Sequence, residues 1–421
     1  MIATTIRGVH GRRVWDSRGR PTVEAEVELE SGTVGRAIAP AGASKGSGEA
    51  VELRDADGFD VRGAVANVNG YIAQALVGAD VEDQENVDRL LLAADGTPDK
   101  RRLGGNALIA VSMAALHAAA AAHGQPLWRY LAADATSVPL PEIQIFGGGA
   151  HAARRIDIQD LMVVCPSARS FAEALERTAA IYRAAGAYLA DQHLLQGVAD
   201  EGGYWPVFGS NEEALDALVR AVESAGLVPG SDAAISLDIA ASQFGSAAGY
   251  SLGCDGMVLD TDGMIALLER WIERYPIVSI EDPLAEDDCE GFRRFTAAFG
   301  SKVQVIGDDL LVTNTARVRN AGTARLCTGV LIKPNQAGTI TETRAALAAA
   351  RESGMAAIVS ARSGETEDVT IAHLAVGWKA AQLKVGSFSR SERMAKWNEM
   401  LRIEEAIGPV ATLASPFRKC V

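Results

Sequence analysis

Six short apolar segments recur through the second half of the chain, and each carries a polar residue at its carboxyl end. Their sequences are AISLDIA, IVSIED, VQVIGDD, GVLIKPN, AAIVSAR and AQLKVG, and the polar residues are Asp238, Glu281, Asp308, Lys333, Arg362 and Lys384. From Glu281 onward, subtraction of the residue numbers gives steps of 27, 25, 29 and 22 residues. One strand, one helix and two loops need about that length of chain, so the spacing predicts an α/β fold of (β/α) barrel type. The longer step from Asp238 to Glu281 leaves room for an extra loop or strand pair.

The first part of the chain has a different pattern, and 421 residues exceed what a single hydrophobic core usually serves. Alternation over Thr22–Leu29, followed by a turn and the run Val34–Ile38, predicts a hairpin or meander. A helix is predicted over Asn106–His123, and its alanine-rich sequence favours a buried helix over a membrane span. Residues 134–141 have linker composition and are the expected domain boundary.

Charge and cysteine content limit the partners and the compartment. The formal net charge of −14 argues against a nucleic acid or an anionic membrane as partner, which leaves a small molecule. The five cysteines are scattered without a CxxC pair, which favours neither a disulfide framework nor a zinc ribbon. No apolar signal-peptide core is seen at the start of the chain, so the cytoplasm is the expected compartment.

The polar strand ends combine three carboxylates with two lysines. A single aspartate after a strand more often caps the next helix, but lysine is a poor cap, so capping does not explain Lys333 and Lys384. Three oxygen ligands without clustered histidine or cysteine indicate Mg²⁺. A lysine close to a cation and to a second lysine is expected to have a lowered pKa and to act as a base. Abstraction of a weakly acidic proton next to a carboxylate is the chemistry that such a set could perform.

Nine sequence blocks resemble signatures of the enolase family, in the order in which enolases carry them. They are DSRGRPTVEAEV, GASKGSGEA, DEGGY, SLDIAASQF, SIEDP, GDDLLVTNT, IKPNQAGT, RSGETED and SRSERMAK. The pairing of a lysine base with Mg²⁺ is itself the known pattern of the enolase superfamily, so that pairing is not an independent derivation. The resemblance implies an α+β capping domain over residues 1–133 and a (β/α)8 barrel over residues 134–421.

The same resemblance implies a role for each site residue, with two Mg²⁺ ions and a small phosphorylated acid as substrate. The implied ligands of the first ion are Asp238, Glu281 and Asp308, and Ser44 is implied for the second. The implied catalytic residues are Lys333 as base, Glu201 as acid, and Asp160 beside them. The implied substrate contacts are His151, Gln159, Arg362, Ser363 and Lys384. A homodimer or a higher homo-oligomer is also expected.

Four positions depart from the enolase pattern. Ala361 stands where enolases carry histidine, Asp160 where they carry glutamate, and Gly147 where they carry asparagine, while Lys45 follows the expected metal ligand Ser44. We expect a larger and more cationic pocket, in which Lys45 contacts an additional anionic group of the substrate. This direction of change favours a specialised biosynthetic enzyme that resembles carboxyphosphonoenolpyruvate synthase of phosphonate and phosphinate antibiotic pathways. The alternatives are an ordinary enolase, which converts 2-phosphoglycerate to phosphoenolpyruvate, and a catalytically silent binding protein.

Overall fold

The computed structural model of the chain describes residues 3–246 and 248–417. Cys420, one of the five cysteines, lies outside the described residues, and the other four are free thiols.

The described chain begins with a three-stranded antiparallel sheet. Its strands are β1 (Ile6–Trp15), β2 (Pro21–Leu29) and β3 (Val34–Ile38), in the order β1-β2-β3. The strands predicted over residues 22–29 and 34–38 are confirmed, as is the hairpin between them. Gly32 has a φ of +82° in the connecting turn, a left-handed conformation that glycine adopts without strain.

Helices cover one face of this sheet. They are α1 (Arg62–Asn67), a π-helical turn (Val68–Ile72), α2 (Ala73–Leu76), α3 (Gln84–Asp95), α4 (Gly105–Ala122) and α5 (Leu127–Leu131). By length and composition alone α4 could cross a membrane, but 83% of it is buried inside the protein, as predicted for a core helix. Gly35 lets α4 approach the sheet, because a Cβ there would lie 2.2 Å from the carbonyl oxygen of Ala114.

Eight strands form a closed barrel in the second part of the chain. They are β5 (Leu140–Gly147), β6 (Asp160–Val164), β7 (Ala234–Asp238), β11 (Ile277–Glu281), β12 (Gln304–Gly307), β13 (Gly329–Ile332), β14 (Ala356–Ser360) and β15 (Gln382–Gly386). All six apolar segments found in the sequence are barrel strands, so this part of the prediction is confirmed. The long step after Asp238 contains a small antiparallel sheet of β8 (Gly245–Ser246), β9 (Gly249–Leu252) and β10 (Met257–Leu259).

Helices follow or connect the barrel strands. They are α6 (Phe171–Asp191), α7 (Asn211–Ser224), α8 (Thr261–Arg274), α9 (Cys289–Phe299), α10 (Thr315–Ala324), α11 (Pro334–Ala337), α12 (Ile340–Glu352), α13 (Thr370–Gly377) and α14 (Ser391–Ile407). Short 3₁₀ turns occur at Gly149–Ala152, Ala241–Gln243 and Gly408–Val410.

Two features of the barrel differ from the sequence prediction. Strand β6 runs antiparallel to both of its neighbours, β5 and β7, so the barrel strands are not all parallel. Residues 134–141 are not a simple linker, because they contain β4 (Ser137–Val138) and the start of β5. Strand β4 pairs in parallel with β16 (Thr412–Leu413), near the end of the described chain. The linker composition reflects Pro139 and Pro141, and the short strands form only because distant segments pair with them.

Candidate active site

Three carboxylates lie on adjacent strands at one rim of the barrel. Asp238 and Glu281 end β7 and β11 and are paired in register, and Asp308 follows β12. All three side chains are buried. The ammonium of Lys384, from β15, lies 2.9 Å from Asp238 Oδ2 and 2.8 Å from Glu281 Oε2. The ammonium of Lys333 lies 2.5 Å from Asp308 Oδ2. The barrel therefore brings the predicted metal ligands and both lysines to one rim.

This rim fits a divalent cation. Burial, together with the nearby carboxylate of Asp238, raises the pKa of Glu281 well above its usual range. The Oε1 atom of Glu281 is buried and has no hydrogen-bond partner among the described residues. The side chains of Asp282, Asp308 and Asp309 form a neighbouring acidic group whose ligand atoms lie within 4.8 Å of one another. Clustered hard oxygen donors of this kind suit Mg²⁺, which relieves the repulsion between them.

The lowered lysine pKa is predicted for a site that holds a cation, and it stays a prediction; in the protein without a cation both lysine pKa values lie above their usual range. Burial lowers the pKa of Lys333, but the carboxylate of Asp308 outweighs burial, so the pKa lies above its usual value. Lys384 shows the same balance more strongly, because Asp238 and Glu281 both favour its charged form. The sequence prediction assumed that a bound cation neutralises these carboxylates. In the protein without a cation, the two lysine ammonium groups partly neutralise them instead.

His151 stands between two buried carboxylates that have opposite pKa shifts. Its Nδ1 lies 3.3 Å from Asp160 Oδ1, and its Nε2 lies 3.9 Å from Glu201 Oε1. Burial raises the pKa of Glu201 and outweighs the effect of His151. For Asp160, the cations Lys384 and His151 overcome the burial effect and hold the pKa below its usual range. One acid is therefore biased toward its protonated form and the other toward its ionised form, a division that suits a proton donor beside a fixed charge.

Gln159 supports the carboxylate rim. Its Nε2 donates to Asp238 Oδ2 at 2.8 Å, and its Oε1 accepts a hydrogen bond from Gln243 Nε2. Gln159 and Asp160 are adjacent in sequence, and they reach the rim because β6 is reversed. The amino end of an antiparallel strand lies where its neighbours have their carboxyl ends, so Asp160, the first residue of β6, lies opposite Asp238.

Arg362 and Ser363 lie directly beyond the end of β14, under the loop of residues 41–48. The guanidinium of Arg362 donates to the backbone oxygen of Ser44 at 2.9 Å and to Asn335 Oδ1 at 3.1 Å. It also forms an ion pair with Glu49, with contacts of 3.0 and 3.2 Å. The hydroxyl of Ser363 accepts the amide N–H of Ala43 at 2.6 Å.

One small cavity of about 20 Å³ connects these groups. Its lining includes ten of the predicted site residues: Ser44, His151, Gln159, Asp160, Glu201, Asp238, Lys333, Arg362, Ser363 and Lys384. The predicted residues Lys45, Glu281 and Asp308 are not part of this lining.

Both parts of the chain match known protein families. Residues 6–131 match the family described as enolase, N-terminal domain, and residues 135–418 match enolase, C-terminal TIM barrel domain. The protein named Enolase 1 of Desulfitobacterium hafniense (strain Y51) is 48% identical over 418 residues, which cover 97% of this chain and 96% of that protein. The chain belongs to the enolase family.

Membership in the enolase family makes this chain an enzyme of the carbon–oxygen lyase type, and it implies the use of Mg²⁺ and of a small phosphorylated substrate. The idea of a catalytically silent binding protein finds no support. The predicted fold class is confirmed, since a closed eight-stranded barrel follows a domain of three strands and several helices.

Two of the four departures from the enolase pattern have surroundings that differ from those expected from the sequence. The side chain of Lys45 is half exposed, and its ammonium pairs with Glu52 at 2.7 Å instead of facing the cavity. Gly147 leaves no free space, because a Cβ there would lie 2.6 Å from the Cβ of Ala199. The pocket is therefore not enlarged at Gly147, and the expected contact of Lys45 with an additional anionic group stays a prediction. Ala361 does line the cavity, and Asp160 does lie in the cluster with His151.

Several site residues of this enolase-family chain were missed from sequence. Glu49 pairs with Arg362, Gln336 Nε2 donates to Asp308 Oδ1 at 3.0 Å, and Gln144 donates to Asp160. Gln144 could have been noticed, because it is a polar residue within the apolar run of β5. Glu49 gave no comparable signal, since a glutamate in a glycine-rich loop is usually solvated.

Proposed function

We propose that this enzyme catalyses the reversible dehydration of 2-phosphoglycerate to phosphoenolpyruvate. The observation that carries the proposal is the small cavity whose lining brings together a lysine suited to be the base, a glutamate suited to be the acid, and a buried arginine. The 48% identity with a protein named Enolase 1 supports the same reaction.

Lys333 is the proposed base and Glu201 the proposed acid. Lys333 takes the proton from carbon 2 of the substrate, and Glu201 gives its proton to the hydroxyl that leaves from carbon 3 as water. The raised pKa of Glu201 keeps a proton available for this step. Asp160 holds His151 in place, and Lys384 contacts the substrate carboxylate. Arg362 and Ser363 bind the phosphate, with Gln159 and His151 beside the substrate.

Asp238, Glu281 and Asp308 would hold the first Mg²⁺, and Ser44 would contribute to a second. When bound, Mg²⁺ supplies positive charge for the substrate carboxylate, which gains negative charge as the proton leaves. A cation bound to Asp308 would weaken the electrostatic attraction between Asp308 and Lys333. Ligation of Asp308 would therefore lower the pKa of Lys333 toward that of a useful base.

The test is a turnover assay with Mg²⁺ and 2-phosphoglycerate, followed by ultraviolet absorbance of the conjugated product. We expect turnover by the wild-type protein and its loss in Lys333→Ala. Solvent deuterium should enter carbon 2 of the substrate with the wild-type protein and with Glu201→Gln, but not with Lys333→Ala. Exchange that persists in Lys333→Ala would remove the base assignment, and absence of wild-type turnover would remove the proposed reaction.

The specialised-synthase hypothesis now depends on Ala361 and Asp160, since Lys45 and Gly147 do not support it. The double variant Ala361→His with Asp160→Glu separates the two functions. An enzyme adapted to another substrate should gain turnover of 2-phosphoglycerate in this variant, by about 10- to 100-fold if the charge placement around the leaving hydroxyl is restored. An ordinary enolase should gain nothing, and that is the result we expect.

We also propose that residues 1–133 and 134–421 form two domains, that the protein is cytoplasmic, and that it forms a homodimer or a higher homo-oligomer. Size-exclusion chromatography with light scattering tests the assembly state.

A further inference from the structure

Arg393, on α14, is among the largest fully buried side chains of the described protein, with an exposure of 0%. Removing a guanidinium from water is costly unless its donors are satisfied inside the protein. The burial of an arginine away from the reacting groups therefore has to be explained, and its hydrogen bonds to the backbone explain it.

Both terminal nitrogens of Arg393 donate to backbone carbonyls, while its buried Nε has no hydrogen-bond partner among the described residues. Its Nη1 donates to the carbonyl oxygens of Arg362 at 2.7 Å and of Val385 at 2.8 Å, and its Nη2 donates to that of Ser363 at 2.6 Å. Among the described residues, the carboxylate found within 4 Å is that of Glu392, 3.5 Å from Nε. The side chain thus joins the end of β15 to Arg362 and Ser363 in the loop after β14.

Two of these carbonyls belong to the residues whose side chains line the cavity. With their carbonyl oxygens held, the backbone of Arg362 and Ser363 cannot rotate freely, and the directions of the guanidinium and of the hydroxyl are set. A planar guanidinium suits this task, because its rigid fork can hold two carbonyls at a fixed spacing. The N–H of Arg362 is held separately by Glu365 Oε1 at 3.0 Å.

Other groups hold the nearby acid. The amide N–H of Ser387 donates to the carbonyl oxygen of Glu201 at 2.8 Å, and the hydroxyl of Ser389 donates to that of Gly202 at 2.7 Å. The loop that carries Glu201 therefore keeps its own backbone hydrogen bonds when Arg393 is changed. The hydrogen bonds of Arg393 reach the turn that carries Arg362 and Ser363, while its charge also favours the ionised form of Glu201 and so opposes the effect of burial on the Glu201 pKa.

We propose that Arg393 is a positioning residue for the anion site, which fixes Arg362 and Ser363 in the orientation that receives the phosphate group of the substrate. The identity of that anion rests on the proposed function. Loss of Arg393 weakens phosphate binding while the proton-transfer groups stay in place, so the defect falls on KM more than on kcat.

The test compares Arg393→Met and Arg393→Lys with the wild-type protein in the presence of Mg²⁺. Binding of inorganic phosphate is measured by calorimetry, and KM and kcat are measured with 2-phosphoglycerate. We expect both variants to bind phosphate about 10- to 100-fold more weakly and to show a matching rise in KM, while kcat changes by less than about 3-fold. Lysine keeps the charge but cannot span both carbonyls, so Arg393→Lys remains informative if Arg393→Met does not fold.

Met400→Ala is the matched control, because it removes another fully buried side chain of α14. It should lower the unfolding temperature, because the loss of a buried side chain reduces stability. Phosphate affinity and KM should stay within about 2-fold of wild type. Wild-type phosphate affinity in both Arg393 variants would overturn the inference, as would full recovery in Arg393→Lys, which would indicate a charge effect only. Failure of the wild-type protein to bind phosphate would overturn the proposed function itself and, with it, the identity of the anion.

Discussion

Two histidines meet at the boundary between the first part of the chain and the barrel. His117 lies on α4 and His373 on α13, with ring centroids 6.4 Å apart in an edge-to-face arrangement. His117 Nε2 lies 2.8 Å from the hydroxyl of Thr370, and His373 Nε2 lies 3.4 Å from Glu399 Oε1. Burial, with a smaller contribution from His117, lowers the pKa of His373 to about 4, although Glu399 and Asp368 oppose the shift.

This pair predicts a loss of stability in acid. An unfolded histidine has a pKa of about 6.5, so between about pH 6.5 and pH 4 the unfolded chain binds a proton that folded His373 does not. The free energy of unfolding should therefore fall as the pH is lowered through that window, by up to about 3 kcal/mol from His373 alone. Urea unfolding at several pH values measures this effect. His373→Gln should have a shallower pH dependence than wild type.

Equal slopes in wild type and His373→Gln would contradict the lowered pKa. The absolute stability of the variant is not the readout, because the substitution also changes packing around a buried residue.

At the scale of elements, one asparagine connects the segment before β6 with its neighbours. Asn211, the first residue of α7, is fully buried. Its Nδ2 donates to Asp157 Oδ2 at 2.8 Å and to Asp255 Oδ2 at 2.7 Å, and its Oδ1 accepts the amide N–H of Asp157 at 3.1 Å. Asp157 in turn accepts the amide N–H groups of Gly253 and Cys254, beside β9. The segment that carries His151, Gln159 and Asp160 is therefore tied to α7 and to the small sheet.

We predict that Asn211→Ala loosens this segment and reduces activity without direct contact with the cavity. Leaving two partly buried carboxylates without their shared donor should cost about 1 to 3 kcal/mol of stability. Hydrogen exchange followed by mass spectrometry should show faster exchange over residues 150–160, and kcat should fall. Asn320→Ala, at an exposed position on α10, is the control and should change neither. Unchanged protection of residues 150–160 in Asn211→Ala would show that the segment is held by other contacts.

At the scale of the whole molecule, negative charge is concentrated at one end of the barrel. The chain has a net charge of −14, and Asp238, Glu281, Asp282 and Asp308 are all buried at the same rim. The pKa of Asp309, beside them, is raised to about 7 by burial and by the charge of Asp308. Such a cluster destabilises the fold unless cations are close to it, and Lys333 and Lys384 balance it only in part.

Removal of Mg²⁺ should therefore destabilise the protein. A ligand that binds only the folded state adds about 2.7 kcal/mol when its free concentration is a hundred times its dissociation constant. Calorimetric scans with Mg²⁺ and with a chelator should show a higher unfolding temperature with Mg²⁺, and Asp308→Asn should reduce the difference. The control variant Asp262→Asn, at an exposed aspartate on α8, should show the same difference in unfolding temperature as wild type. Identical scans with Mg²⁺ and with chelator would count against a metal site at this rim.

The amino-acid sequence by itself determined six of the eight barrel strands, the order of their polar ends and the family. Strand ends can be found from local apolar runs and their spacing, and the carboxyl ends of parallel strands must meet at one rim. Asp238, Glu281, Asp308, Lys333 and Lys384 could therefore be grouped from their positions along the chain. The antiparallel direction of β6 could not be predicted in this way, because a five-residue apolar run does not indicate whether the strand is parallel or antiparallel to its neighbours. Asp160 and Gln159 reach the rim only through that reversal.

Only the tertiary structure decided what each side chain faces. Lys45 is next to an expected metal ligand in sequence, yet it pairs with Glu52, and the space at Gly147 is filled by Ala199. The raised pKa of Lys333 likewise depends on a carboxylate 25 residues away along the chain. The hydrogen bond of Arg393 to the backbone of Arg362 joins residues that are 31 positions apart. Electrostatic and packing energies depend on distances through space, and these distances are fixed only when remote segments close the barrel together.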